Sequence, residues 1–230
     1  QRMVGIFSIL FAVLVWVGWT VSSSYSVRAG LTAYDLTALR FGTAGLMMLP
    51  VAWRKGLRVG PWGLWGGLAL AATMGATYNT ITITGMRFAP TSHASGIIIN
   101  TMLVLTTAGA VLFLKERTSK LRLCGIVISL AGIGCLLYAK GSGDSSPESL
   151  LLGHVLFLIG GCIWALHALF IKAWKADPIH VTAVVCVISA VLYMPIYYFF
   201  LPSGIGPHNY TEAAVQAVYQ GFINSVCATF

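Results

Sequence analysis

Ten aromatic or polar side chains stand inside long apolar runs of this sequence: Trp16, Trp19, Thr20, Tyr78, Asn79, Asn100, Trp164, His167, Gln220 and Asn224. Their chemistry is reversible binding. Indole and phenol rings pack on apolar or aromatic groups, amides both donate and accept hydrogen bonds, and a neutral imidazole does each at a different nitrogen. None forms a nucleophile with an adjacent base. Neither His-Glu-x-x-His nor Gly-x-Ser-x-Gly occurs, so no catalytic residue is expected. His154 and His167 are 13 residues apart, too far along a helix to share a metal ion. Cys124, Cys135, Cys162, Cys186 and Cys227 match no metal spacing and read as packing residues, so neither a metal nor a cofactor is expected.

The elements that hold these side chains are apolar stretches of about 20 residues, the length a helix needs to cross a bilayer. Spans are expected at 4–27, 34–53, 62–85, 90–114, 121–139, 150–171, 178–201 and 212–230. With 57% hydrophobic and 9% charged residues, the composition is far from a soluble domain, where about a quarter of residues are charged. Basic residues alternate by loop. Arg2, Arg54, Lys55, Arg58, Lys115, Arg117, Lys120, Arg122, Lys172 and Lys175 fall on one side, and only Arg28, Arg87 and Lys140 on the other. The positive-inside rule makes the first set cytoplasmic and predicts a multi-pass membrane protein with its N-terminus inside. The net charge of +8 sits at helix ends rather than in one stripe, so topology explains it and no nucleic-acid partner is expected.

The chain also repeats itself. Trp16, Asp35, Thr37, Ala38 and Pro50 recur at nearly the same spacing as Trp164, Asp177, Thr182, Ala183 and Pro195. Five expected helices separate the copies, which inverts the second relative to the first. Inverted repeats are the architecture of secondary transporters, whose solute site lies near the midplane. The expected fold is therefore an all-α transmembrane bundle, with a five-helix repeat over 1–140 and a second, about three helices long, over 141–230.

Residues 85–134 run Gly-Met-Arg-Phe-Ala-Pro-Thr-Ser-His-Ala-Ser-Gly, an apolar helix, Leu114-Lys115-Glu116-Arg117-Thr118, then Gly125, Gly132 and Gly134. Together with Leu39-Arg40-Phe41, Trp16, Trp164 and Tyr219-Gln220-Gly221, they resemble an EamA-type protein of the drug/metabolite transporter superfamily. The resemblance implies a ten-helix, two-repeat carrier that moves small organic metabolites across the cytoplasmic membrane, usually outward. Two departures follow from it: Leu103 stands where such proteins often carry a mid-helix proline, which implies a straighter helix, and on the ten-helix plan the chain stops in about the eighth.

Each candidate has a structural reading beside the functional one. Threonines of membrane helices often bond their own preceding turn, which is the expectation for Thr73, Thr77, Thr80 and Thr84. Asn100, Gln220 and Asn224 serve equally well as interhelical hydrogen bonds. Trp53, Trp62, Trp65 and Trp174 fit a membrane-interface belt. His93 is expected to be solvated at its helix end. Arg40, the one cation inside a span, reads as a structural anchor with Asp35 as its nearest acid, and Glu116 as an ion pair within its basic cluster. Gly63 with Gly67, Gly125 with Ser129 and Gly132, and Gly153 with Gly160 are expected where helices approach closely. No carboxylate lies at mid-membrane to relay protons, which favours uniport or exchange, and the aromatic and amide set suits a neutral or amino-acid-like solute. The partners expected are that solute and the lipid bilayer, with a homodimer open. The rival classes are a membrane-embedded enzyme and a channel-like pore.

Overall fold

The computed structural model describes residues 2–138 and 146–225. Cys227 and most of the Lys140–Ser149 loop lie outside them. The described residues hold helices and no strand: α1 (Arg2–Arg28), α2 (Ala33–Lys55), α3 (Leu64–Met74), α4 (Ala76–Gly85), α5 (Thr91–Leu112), α6 (Lys120–Tyr138), α7 (Pro147–Trp174), α8 (Pro178–Phe200), α9 (Tyr210–Gln216) and a π-helical segment, Ala217–Asn224. Among them α2, α5, α7 and α8 are long and apolar enough to cross a membrane individually. Two expected spans are not single α-helices: the described part of 212–230 is α9 followed by the π-helical segment, and 62–85 is interrupted. The run 62–85 is not one helix but two, α3 and α4, broken at Gly75, whose N–H still bonds the Ala71 carbonyl. A Cβ on Gly75 would meet the Ser189 hydroxyl and the Ala71 carbonyl, so the close approach of α8 is what glycine permits there. At ~1.5 Å per residue neither piece reaches across ~30 Å of hydrocarbon alone.

The chain divides into two compact units, residues 1–76 with 176–230, and residues 77–175. In the first, α2 and α8 run antiparallel. Gly45 makes the crossing possible, because a Cβ there would stand 2.6 Å from Cβ of Ala190. Leu36, Phe41, Leu70 and Val184 form the dry interior. At one end of the pair Lys55 meets Asp177 at 2.5 Å. At the other, the buried Asp35 is fastened five times. Its Oδ2 accepts from Thr32 N (2.7 Å), Thr32 Oγ1 (2.8 Å) and Gly204 N (2.9 Å), and its Oδ1 from the Tyr197 (2.5 Å) and Ser203 (2.9 Å) hydroxyls. Thr32 and Asp35 form a capping box at the start of α2, and the same carboxylate ties down the segment after α8. The expectation that Asp35 pairs with Arg40 therefore fails. Nearby N–H and O–H groups already hold both carboxylate oxygens.

In the second unit α5 and α7 run parallel. Small residues set the approach: Gly153 faces Ala89, Gly161 faces Thr101 and the Ile98 carbonyl, Gly109 faces Leu169, and Gly85 receives the fully buried Phe157. Lys172 and Glu116 pair where both helices end, so Glu116 is an ion-pair residue as expected, with a partner outside its own basic cluster. The glycines of α6 behave differently from the expectation. Beside Gly125, Gly132 and Gly134 no atom lies within 4 Å of an added Cβ, so among the described residues that stripe meets no helix.

Candidate functional site

In the second unit, Tyr78 and Asn79 lie on the first turns of α4, directly after the Gly75 break, and both are buried. The Tyr78 ring meets Trp164 of α7 edge to face, with centroids 5.8 Å apart and planes at 64°. That arrangement joins the positive edge of one ring to the negative face of the other. His167 is buried one turn beyond Trp164. Thr82, one turn beyond Tyr78 and opposite Gly160, is wholly buried, and its hydroxyl has no hydrogen-bond partner. Of the ten expected binding residues, the structure thus gathers Tyr78, Asn79, Trp164 and His167 on two neighbouring helices. Asn100 instead donates to the Gly96 carbonyl one turn back (2.9 Å), and Thr107 on the same face donates to Leu103 O (2.7 Å). His93 differs from the expectation of a solvated group. It is 4% exposed, and its Nδ1 lies 2.9 Å from Nε2 of His154.

In the first unit a polar ladder joins α1 to α9 and the π-helical segment. Gln216 Nε2 donates toward Ser22 Oγ (2.5 Å), Ser26 Oγ (2.7 Å) and Glu212 Oε1 (3.1 Å), and the Ser26 hydroxyl also donates to Glu212. One turn on, Gln220 Nε2 donates to Ser23 Oγ (2.8 Å) and Gln216 Oε1 (3.2 Å). Gln220 is wholly buried, yet its Oε1 accepts nothing from the protein. Further along, Arg40 Nε donates to Ser225 Oγ (3.0 Å), whose hydroxyl donates to the Gln220 carbonyl (2.9 Å). Residues 217–224 are π-helical, a geometry frequent at functional sites. Asn224 is buried on that segment and Trp19 on α1, whereas Trp16 is 45% exposed. Thr20 bonds its own helix at Val17 O (2.8 Å), and Thr73 does the same at Ala69 and Leu70, as expected of threonines in membrane helices. Trp53, Trp62 and Trp65 are exposed around the α2–α3 link. Sequence reasoning passed over Ser22 and Ser26, which become legible only once Gln216 and Glu212, four residues apart on one face, are given a partner helix.

The family model for the EamA-like transporter family matches residues 3–138, more than half of the chain. The chain belongs to the EamA-like transporter family. This EamA-like protein is 25% identical over 222 residues to a protein named an uncharacterized transporter from Archaeoglobus fulgidus, covering 94% of the chain and 73% of that relative. It is 23% identical over 200 residues to the aromatic amino acid exporter YddG of Ancylobacter novellus, covering 84% of the chain and 66% of the exporter. A solved crystal structure aligns with a TM-score of 0.67 at 20% identity, over 100% of this chain and 78% of that one, which shows the shared fold. Family and apolar helices together make the EamA-like chain a multi-pass integral membrane protein, and its relatives are transporters rather than enzymes.

Proposed function

We propose that the protein is a secondary transporter that moves a small neutral or zwitterionic metabolite of the amino-acid type out across the cytoplasmic membrane. It works by alternating access of two inverted repeats, residues 1–140 and 141–230, with the N-terminus on the cytoplasmic side. The observation that carries the substrate class is the Tyr78–Trp164 pair on a discontinuous helix. Broken helices line the solute sites of many secondary transporters, because the interrupted backbone leaves polar groups and space at membrane depth. An aromatic pair beside Asn79 and His167 offers stacking and hydrogen bonding without net charge, which fits the distant likeness to an aromatic amino acid exporter. The repeat draws support from the helix pairs themselves. The α1–α2 pair has 27 and 23 residues and the α7–α8 pair 28 and 23, and Asp35 and Asp177 each cap the start of the second helix.

A thermal-shift screen of amino acids and other small metabolites on the purified protein tests this reading. Aromatic amino acids are expected to raise the melting temperature of the wild type and to lose that effect in Trp164→Ala and Tyr78→Ala. Asn100→Ala, whose amide bonds its own helix, is expected to respond like the wild type. A response to phosphorylated solutes with none to amino acids would overturn the substrate class, and an unchanged response in Trp164→Ala would overturn the site.

A further inference from the structure

The contact between His93 and His154 has no part in the solute reading. The residues sit on α5 and α7, 61 positions apart in the chain. Nδ1 of one faces Nε2 of the other at 2.9 Å, with ring centroids 5.1 Å apart. A centroid spacing so close to the nitrogen distance plus two ring radii means that the facing nitrogens lie almost on the line between the rings. Their lone pairs therefore point at one another, and one proton must stand between them, donated by one ring and accepted by the other. The backbone holds this geometry tightly, because Gly153, the neighbour of His154, packs on Ala89 and Gly85 at the same end of the unit.

The charged and titratable groups on the surrounding elements leave the pair to itself. Arg87 in the α4–α5 turn and Glu148 in the first turn of α7 are both exposed and six residues distant along the chain. On α6, Lys120, Arg122, Cys124 and Cys135 are exposed. On α4 the titratable residue is Tyr78, engaged with Trp164, and on α7 His167 lies 13 residues further on. The ion pair of Lys172 and Glu116 stands at the opposite ends of α5 and α7.

We propose that His93 and His154 form a proton-binding latch that fastens the first turn of α5 to α7 while the pair holds at most one added proton and releases that end when it takes a second. In the neutral pair the donor ring has a bare lone pair on its outer nitrogen. The first proton from solvent adds there and turns the contact into an imidazolium–imidazole bond, which is charge-assisted and stronger. The acceptor ring already carries a hydrogen on its outer nitrogen, so a second proton must go onto the facing nitrogen itself. That removes the acceptor, sets two N–H groups against each other and places two cations in contact. The two protonations are therefore coupled steps of one pair rather than independent events. Imidazole is the side chain whose unperturbed charge change lies nearest physiological pH, which suits it to a proton-operated contact.

The test is a histidine titration by nitrogen NMR on the protein in detergent, for the wild type, His93→Asn and His154→Gln, with His180→Gln, whose ring on α8 meets the Gly56 carbonyl instead, as a control. The asparagine amide replaces Nδ1 and the glutamine amide Nε2, so each variant keeps a hydrogen-bonding group at the contact. The pair in the wild type is expected to titrate in two steps about 1 pH unit or more apart. His154 in His93→Asn is expected to titrate in a single step with a shifted midpoint, and so is His93 in His154→Gln. Two imidazoles that titrate in the wild type as they do in the single variants would overturn the proposal. Should one variant fail to fold, the other carries the same comparison from the opposite ring. A second readout is the distance between spin labels on α5 and α7, which is expected to lengthen at the acid end of the wild-type titration. An unchanged distance after both protons are bound would overturn the release.

Discussion

Replacing Asp35 separates what a carboxylate does here from what its shape does. Oδ2 receives two backbone N–H groups and the Thr32 hydroxyl, while Oδ1 receives only the Tyr197 and Ser203 hydroxyls. In Asp35→Asn the amide can place its oxygen at the Oδ2 position and its NH2 at the Oδ1 position. Hydroxyls accept as readily as they donate, so both hydroxyl contacts survive with their direction reversed. The loss is then only charge assistance, about 1 kcal/mol. Asp35→Ala leaves the half-buried Thr32 and Gly204 N–H groups without their acceptor, at about 1–2 kcal/mol each, and removes a capping box worth about 1 kcal/mol. The sum is about 3–5 kcal/mol, large against the marginal stability of a folded domain. Reversible unfolding in mixed micelles reads the difference. Asp35→Ala is expected to be the more destabilised by at least about 2 kcal/mol. Equal stability of the two variants, or Asp35→Ala within about 0.5 kcal/mol of the wild type, would refute the acceptor account.

Other perturbations read other parts of the structure. Gly161→Val drives a side chain into Thr101 and the Ile98 carbonyl and is expected to cost about 1–3 kcal/mol in the same assay, whereas Gly125→Val, with open space around it, is expected to stay within about 0.5 kcal/mol. Gln216→Leu breaks the ladder to Ser22, Ser26 and Glu212. At about 0.6 kcal/mol for an average interhelical bond in a membrane protein, a loss of about 1–2 kcal/mol is expected, and no loss would mean that the ladder contributes nothing. The hydrogen bond from the Lys55 ammonium holds the Asp177 carboxyl below its ordinary 3.8. A depressed carboxyl contributes stability above its unfolded value and loses it as pH falls through the folded one. Lys55→Met is therefore expected to lower stability at neutral pH, less so in high salt, and to have no effect once Asp177 is protonated. An effect independent of pH would remove the ion pair from the account.

The helices were legible because apolar length depends on local composition, and α2, α5, α7 and α8 lie close to where it places them. The break at Gly75 was not, since a single glycine in an apolar run is compatible with a continuous helix. What stands against this one is Ser189, 114 positions later in the chain. Asp35 misled for the same reason. Its local neighbour Arg40 looked like the partner, while Tyr197 comes from the last turn of α8 and Ser203 and Gly204 from just beyond it. Polar residues on one helical face could be read as inward-facing, as Tyr78, Asn79, His167 and Gln220 prove to be. Whether each then bonds its own turn, as Asn100 does, or another helix, as Gln220 does, depends on which helix faces it, and no spacing along one helix encodes that.

The central claim is that the protein is a carrier, and solute counterflow in proteoliposomes tests it most directly. Vesicles preloaded with an unlabelled aromatic amino acid are expected to accumulate the labelled one transiently, with saturable rates, and to lose that uptake in Trp164→Ala. Uptake that rises linearly with concentration and ignores the preloaded solute would indicate a pore, and chemical conversion of the solute would indicate an enzyme. Either would contradict the account.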